Sequence, residues 1–181
     1  MVEIKLSLAE QQQKTKPKIE DVIVELLDGE RQQNALDFVA YLREQKLNPR
    51  WTATNAWWVK YKGKNLFSIR LHGNNGAKVY YGLNPGSWHT AHWLDMYLVG
   101  NNPEQFDDLL NCDSFKKFLW SNMHPCKHCL CCKPGLSGVY FGKEFNSACG
   151  IRIENPDAKG LEHTRKLLEY KKNLIAGSSG K

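Results

Sequence analysis

The chain has 181 residues, 41% of them hydrophobic and 24% charged, which is enough apolar mass for a packed core and excludes a disordered or collagen-like chain. Its 25 Lys+Arg and 19 Asp+Glu give a formal net charge of +6, yet the basic residues are scattered, which argues against a dedicated nucleic-acid face. No apolar run approaches the roughly 20 residues of a membrane helix, and the start, Met1-Val-Glu-Ile-Lys-Leu-Ser-Leu8, lacks the apolar region of a secretory signal. A cytoplasmic protein with no membrane partner is expected.

Residues 1–18 read as a flexible arm. From Ile19 the period becomes helical, with Ile19, Val22, Ile23, Leu26 and Leu27 forming one stripe. Gly29 is a stop signal. A second helix follows with Leu36, Val39, Ala40 and Leu47 on one face, widened by Phe38, Tyr41 and Leu42, and Asn48-Pro49 ends it. The period then changes to two. Trp57, Val59 and Tyr61 alternate with Trp58 and Lys60, Lys62-Gly63 marks a tight reversal, and Asn65–Leu71 alternates again. Asn74-Asn75-Gly76 supplies a second turn into Val79–Tyr81, Asn84-Pro85-Gly86 breaks that strand, and Trp93–Val99 reads as another. Helices are expected at Pro103–Leu110 and at Ser114–Asn122, the latter capped by Asp113. Short strands follow at Val139–Phe141 and Ile151–Ile153. A last helix is capped by Asn155, with Pro156 and Asp157 in its first turn. This order predicts an α+β fold, an antiparallel β-meander packed against helices, in one domain over 19–175, with a Cys-rich loop in 124–149, a terminal helix and a flexible tail at 176–181.

Five of the six cysteines are crowded together. Cys126, Cys129, Cys131 and Cys132 lie in one short segment, and Cys149 follows at a strand. In a reducing compartment such a cluster points to a metal or to redox chemistry rather than to a disulfide framework. Cys126-x2-Cys129-x2-Cys132 with Cys149 supplies four thiolates, a complete tetrahedral set for structural zinc. Cys131, His124 and His128 are alternates. A second Cys-x2-Cys knuckle is missing, and the fourth position of a ferredoxin-type run is Leu136, which ranks an iron–sulfur cluster below zinc. Thiol redox or metal handling by the Cys126–Cys132 cluster is the alternative. Cys112 stands apart between two predicted helices and is expected to be a buried apolar residue.

Trp57, Trp58, Tyr80, Tyr81, His89 and Trp93 all fall in the meander and its approaches. Side chains alternate across a strand, so Trp57 and Trp58 cannot face one core, and one of them is free to line a groove. Such rings beside Lys60 and Arg70 suit a small planar or anionic ligand. His89-x2-His92 could be a metal pair, but local hydrogen bonding is the simpler reading. No nucleophile–base pair, P-loop or dinucleotide motif is present in the sequence.

Phe38-Val-Ala-Tyr-Leu-Arg43, Asn48-Pro-Arg-Trp51, Trp58-Val-Lys-Tyr-Lys-Gly63 and the Cys-rich segment leading to Phe141-Gly-Lys-Glu-Phe145 and Cys149 together resemble a family of small uncharacterised Firmicutes proteins. These are more loosely similar to YdhG-like α+β domains. The resemblance implies a curved antiparallel sheet packed on helices, and it implies no reaction. The expectation is therefore a non-enzymatic binding or regulatory module with a Cys-ligated zinc and an aromatic groove, nucleic-acid association being the weakest reading.

Overall fold

The computed structural model describes residues 6–73, 84–93, 112–125 and 136–177. Within them lie helices α1 (Leu8–Thr15), α2 (Ile19–Leu26), α3 (Gly29–Glu44), α4 (Asp113–Ser121) and α5 (Ala158–Gly177). The strands are β1 (Arg50–Ala53), β2 (Ala56–Tyr61), β3 (Lys64–His72), β4 (Ser87–Trp93), β5 (Met123–Pro125), β6 (Leu136–Tyr140) and β7 (Lys143–Glu154). They are hydrogen-bonded in the order β1-β2-β3-β4-β7-β5, with β6 on β7 beside that path. The chain is α+β, as its pattern predicts. It forms two compact units, Met1–Thr90 with Glu154–Leu161, and Ala91–Ile153 with Glu162–Lys181. Each is discontinuous in sequence, so no linker marks a division.

In the first unit, α2 buries Ile19, Val22 and Ile23, and α3 buries Ala35, Phe38, Val39 and Leu42. The stripe of α2 is the expected one. On α3, Leu36 is only half-buried and Ala40 is exposed, because the face centres on Phe38, whose ring lies 6.0 Å from those of Phe67 and Trp88. Gly29, expected as a stop, opens α3 instead. The β2–β3 hairpin reverses at Lys62 and Gly63, with φ of 46° and 77°. A two-residue turn with both φ positive matches the right-handed twist of its strands, which favours glycine at the second position.

Part of the expected arm is a helix. Ser7 accepts from the Glu10 N–H while the Glu10 carboxylate accepts from the Ser7 N–H at 2.9 Å, a reciprocal cap that starts α1. The hydroxyl of Ser7 donates to the same carboxylate and holds its pKa below the ordinary value. Gln12 of α1 is 5% exposed and is hydrogen-bonded to Asn55.

Three further boundaries differ from expectation. The strand after Asn84-Pro85-Gly86 begins at Ser87, where the sequence pattern puts it at Trp93–Val99; residues 94–99 and the expected elements at 79–81 and 103–110 lie outside the described residues. Asn155 does not cap the terminal helix. Its φ is 39°, and its Oδ1 accepts from the Trp88 N–H at 2.9 Å, while Asp157 Oδ1 accepts from the Gly160 N–H at 2.7 Å and is the true cap. Phe141, expected inside a strand, is a turn residue with φ 54° beside Gly142 at 79°.

The second unit gathers Phe115, Leu119, Ala148, Ile151, Ile153, Leu167 and Tyr170 into one core. α4 contributes Phe115 and Leu119, four residues apart on one helical face. β7 contributes Ile151 and Ile153, two apart on one strand face. Removing a side chain such as Leu119, fully buried here, costs about 2–5 kcal/mol.

Candidate functional site

β7 organises the Cys-rich region. Met123 and His124 of β5 pair with Ile151 and Gly150, and Pro125 pairs with Ala148, so Cys149 is the extra residue of a bulge. On β6, Leu136 pairs with Ala148 as well. One residue can hold two cross-strand partners only on its two edges, so β7 runs between Pro125 and Leu136, which are therefore about 10 Å apart. The segment that carries Cys126, His128, Cys129, Cys131 and Cys132 is the direct connection from Pro125 to Leu136. Both of its anchor points flank the neighbour of Cys149.

Cys149 is half-buried on β7, and His124 is half-buried on β5. Residues 126–135 lie outside the described residues, and among the described residues no group of three or more His, Cys, Asp or Glu is placed to hold a metal. Donor chemistry and anchoring bear on the fit of a metal. Thiolates are the ligands of structural zinc, Cys149 lies next to Ala148 on β7, and Pro125 and Leu136, which pair with Ala148, bound the segment that carries the other cysteines.

The expected groove is divided. Trp57 is 1% exposed and its indole N–H donates to the Pro17 carbonyl at 3.1 Å, so it is a core residue under the helices. Trp58, on the other face of β2, is half-buried and pairs across the ladder with Arg50 and Ser68. His89 is buried and stacks on His72, ring centroids 5.0 Å apart, with Nε2 of His72 and Nδ1 of His89 at 2.9 Å. Tyr80 and Tyr81 lie outside the described residues, as does the side chain of Trp93. His89 and His92 stand three residues apart on β4 and so face opposite sides, which excludes a shared metal. His92 is buried, and burial first, with the nearby Lys171 charge second, holds its imidazole well below the ordinary value of 6.5. It is neutral.

Cys112 is the reverse of its expectation. It is exposed, stands at the N-cap of α4 and contacts the Ser114 hydroxyl at 3.1 Å. That hydroxyl, followed by the Phe115 N–H, lowers the thiol pKa. The spacing of predicted helices could have indicated a cap position there, since Asp113 and Ser114 both favour a helix start.

Residues that the sequence reading passed over include His72 and Ser68. Both share a face of β3 with Arg70, a placement that strand parity alone reveals once the Lys62-Gly63 turn fixes the register. Among the described residues, no helix is long and apolar enough to cross a membrane. Comparison with protein-family models, curated proteins and solved structures finds no match.

Proposed function

We propose that the protein is a non-catalytic cytoplasmic binding or regulatory module whose second unit is stapled by a zinc ion held by Cys126, Cys129, Cys132 and Cys149. The observation that carries this reading is the double pairing of Ala148 with Pro125 and Leu136, which ties both ends of the Cys-rich segment to the neighbour of Cys149. Cys126 follows Pro125 directly, and the bulge at Cys149 re-aims its side chain relative to a regular strand. Four thiolates satisfy zinc without a water or carboxylate, which makes the site a closed structural one. Such an ion would join a loop to a strand, and its binding free energy would add to the stability of this unit. Cys131, His124 and His128 are the replacements if one thiolate is not used.

The test is the metal content of untagged protein purified without added metal, together with its melting temperature before and after a chelator. About one equivalent of zinc and a chelator-dependent fall in melting temperature are expected. Absence of zinc with an unchanged melting temperature rejects the reading. Iron in place of zinc selects the cluster, and intramolecular disulfides formed under mild oxidation select the redox alternative.

A further inference from the structure

Charge is divided between the helices and the sheet of the first unit. Residues 19–44, which form α2 and α3, hold seven acidic and two basic residues, whereas residues 45–94, which carry β1 to β4, hold seven basic residues and no acidic one. The chain outside 45–94 has 18 basic and 19 acidic residues, so the whole positive excess of the protein belongs to that stretch. Its exposed cations gather at one end of the sheet. Arg50 on β1, Lys60 on β2, Lys62 in the hairpin turn and Lys64 on β3 are all exposed. We infer that this end of the β2–β3 hairpin docks into a groove of duplex DNA, where Arg50, Lys60, Lys62 and Lys64 neutralise backbone phosphates without reading the base sequence. The inference concerns the first unit and does not depend on the metal.

The register brings the four together. Arg50 pairs with Trp58, so it lies on the same side of the sheet as Lys60, two residues further along β2. Lys64 pairs with Tyr61 and stands on the opposite side, and Lys62 occupies the turn between the strands with φ 46°. With strands about 4.8 Å apart and a rise of about 3.3 Å per residue, the four Cα atoms fall within about 15 Å. Among the described residues none of the four forms an ion pair. Scatter along the sequence is therefore not scatter on the surface. Cations on both sides of a narrow ribbon, and at its tip, decide the kind of partner. A bilayer meets one side only, and stable attachment to it needs an apolar anchor besides charge. The exposed large apolar residues among those described are Leu6, Val24 and Val139, and none belongs to β1, β2 or β3. The major groove of B-DNA is about 12 Å wide and admits a two-stranded ribbon, and the duplex carries one phosphate charge per about 1.7 Å of its axis. The deep, narrow major groove of duplex RNA does not admit such a ribbon. Lysine suits contact without sequence readout, because its ammonium acts as a point charge and imposes no planar geometry. The acidic helices give the unit a charge asymmetry that orients its approach to a polyanion.

Fluorescence anisotropy of the full-length protein with a labelled mixed-sequence DNA duplex tests this. The matching single strand, polyglutamate, and vesicles of mixed phosphatidylserine and phosphatidylcholine serve as the alternative partners. The duplex is expected to bind at about 10 μM or tighter near about 50 mM salt, and the logarithm of affinity should fall against that of salt with a slope of about −3 to −4. Lys60→Gln, Lys62→Asn and Lys64→Gln combined should weaken binding about tenfold or more and bring the slope to about −1. The melting temperature should hold, because Asn-Gly suits the positive-φ turn. Lys14→Gln, Lys117→Gln and Lys159→Gln combined remove the same charge at exposed positions elsewhere and should change affinity by less than about threefold. Should the hairpin triple variant fail to fold, the single reversal Lys60→Glu carries the test and should weaken binding by about fivefold or more. No binding to the duplex, a salt-independent affinity, or equal losses in the two triple variants overturns the inference. So does tighter binding to the single strand, to polyglutamate or to the vesicles.

Discussion

Gln12 and Asn55 exchange two hydrogen bonds: the Gln12 side-chain amide donates to Asn55 Oδ1 and the Asn55 N–H donates to Gln12 Oε1, each at 2.8 Å. The indole N–H of Trp51 donates to the same Oε1 at 3.3 Å. Asn55 sits in a left-handed turn with φ 53°, where asparagine is better tolerated than most residues. The pair fastens α1 to the β1–β2 turn. Gln12→Ala removes both of these bonds to Asn55 and should cost about 1–3 kcal/mol in urea denaturation. Deleting residues 1–15 should cost at least as much, and an unchanged midpoint in both would mean that α1 does not dock.

At the start of α5, two neighbours should respond differently. Asp157→Ala removes a helix cap and should cost about 1 kcal/mol. Asn155→Ala takes the acceptor from the Trp88 N–H and places alanine at a positive φ, so the larger loss is expected there. Equilibrium unfolding of both variants checks the order.

Acid stability should report on His92. Its folded pKa is depressed by burial and by Lys171, so the unfolded chain takes up a proton near pH 6.5 that the folded chain refuses. The resulting stability is present above that pH and is lost progressively as pH falls. Tyr170 acts at the other end. Burial raises its phenol to about 12 from an ordinary 10.0, so its contribution is present below pH 10 and is lost as pH rises toward 12. Melting temperatures across pH, with His92→Gln flattening the acid limb, test the first; a phenolate absorbance titration tests the second.

The cysteines should separate into two classes. Cys149→Ser and Cys126→Ser should each lose the bound metal and lower the melting temperature by at least about 5 °C. Cys112→Ser should leave both unchanged. The exposed, low-pKa Cys112 thiol should instead dominate the fast phase of labelling by a disulfide reagent, and that phase should vanish in Cys112→Ser. Equal, mild effects at all three positions would contradict the metal staple.

Local rules reached the helices and the hairpin because their causes are local. Ile19, Val22 and Ile23 repeat at the helical period, and Lys62-Gly63 has the residue that a tight turn needs. They failed where a distant partner decides. Gln12 is polar in a polar segment, and only an amide 43 residues away explains its burial. In Ser87–Trp93, the histidines and Thr90 suggest a surface, yet His89, Thr90 and His92 are all buried. Asn155 and Asp157 both carry cap chemistry, and the choice between them depends on Trp88, far back in the chain. The Cys-rich segment and Cys149 were legible as a donor set from spacing alone, whereas the pairing of Ala148 with both Pro125 and Leu136 depends on strand register.

Those pairings also set the order in which this protein can assemble on the ribosome. β5 and β6 are made first, but both take β7 as their partner, and chains emerge N-terminus first at about 5–20 residues per second. A released chain that ends at Gly142 therefore carries two strands without their partner strand, together with Cys126, Cys129, Cys131 and Cys132. It should be held by chaperones and be prone to intermolecular disulfides. Synthesis through Glu154 supplies the partner strand, and the first unit likewise waits for Glu154–Leu161 to close.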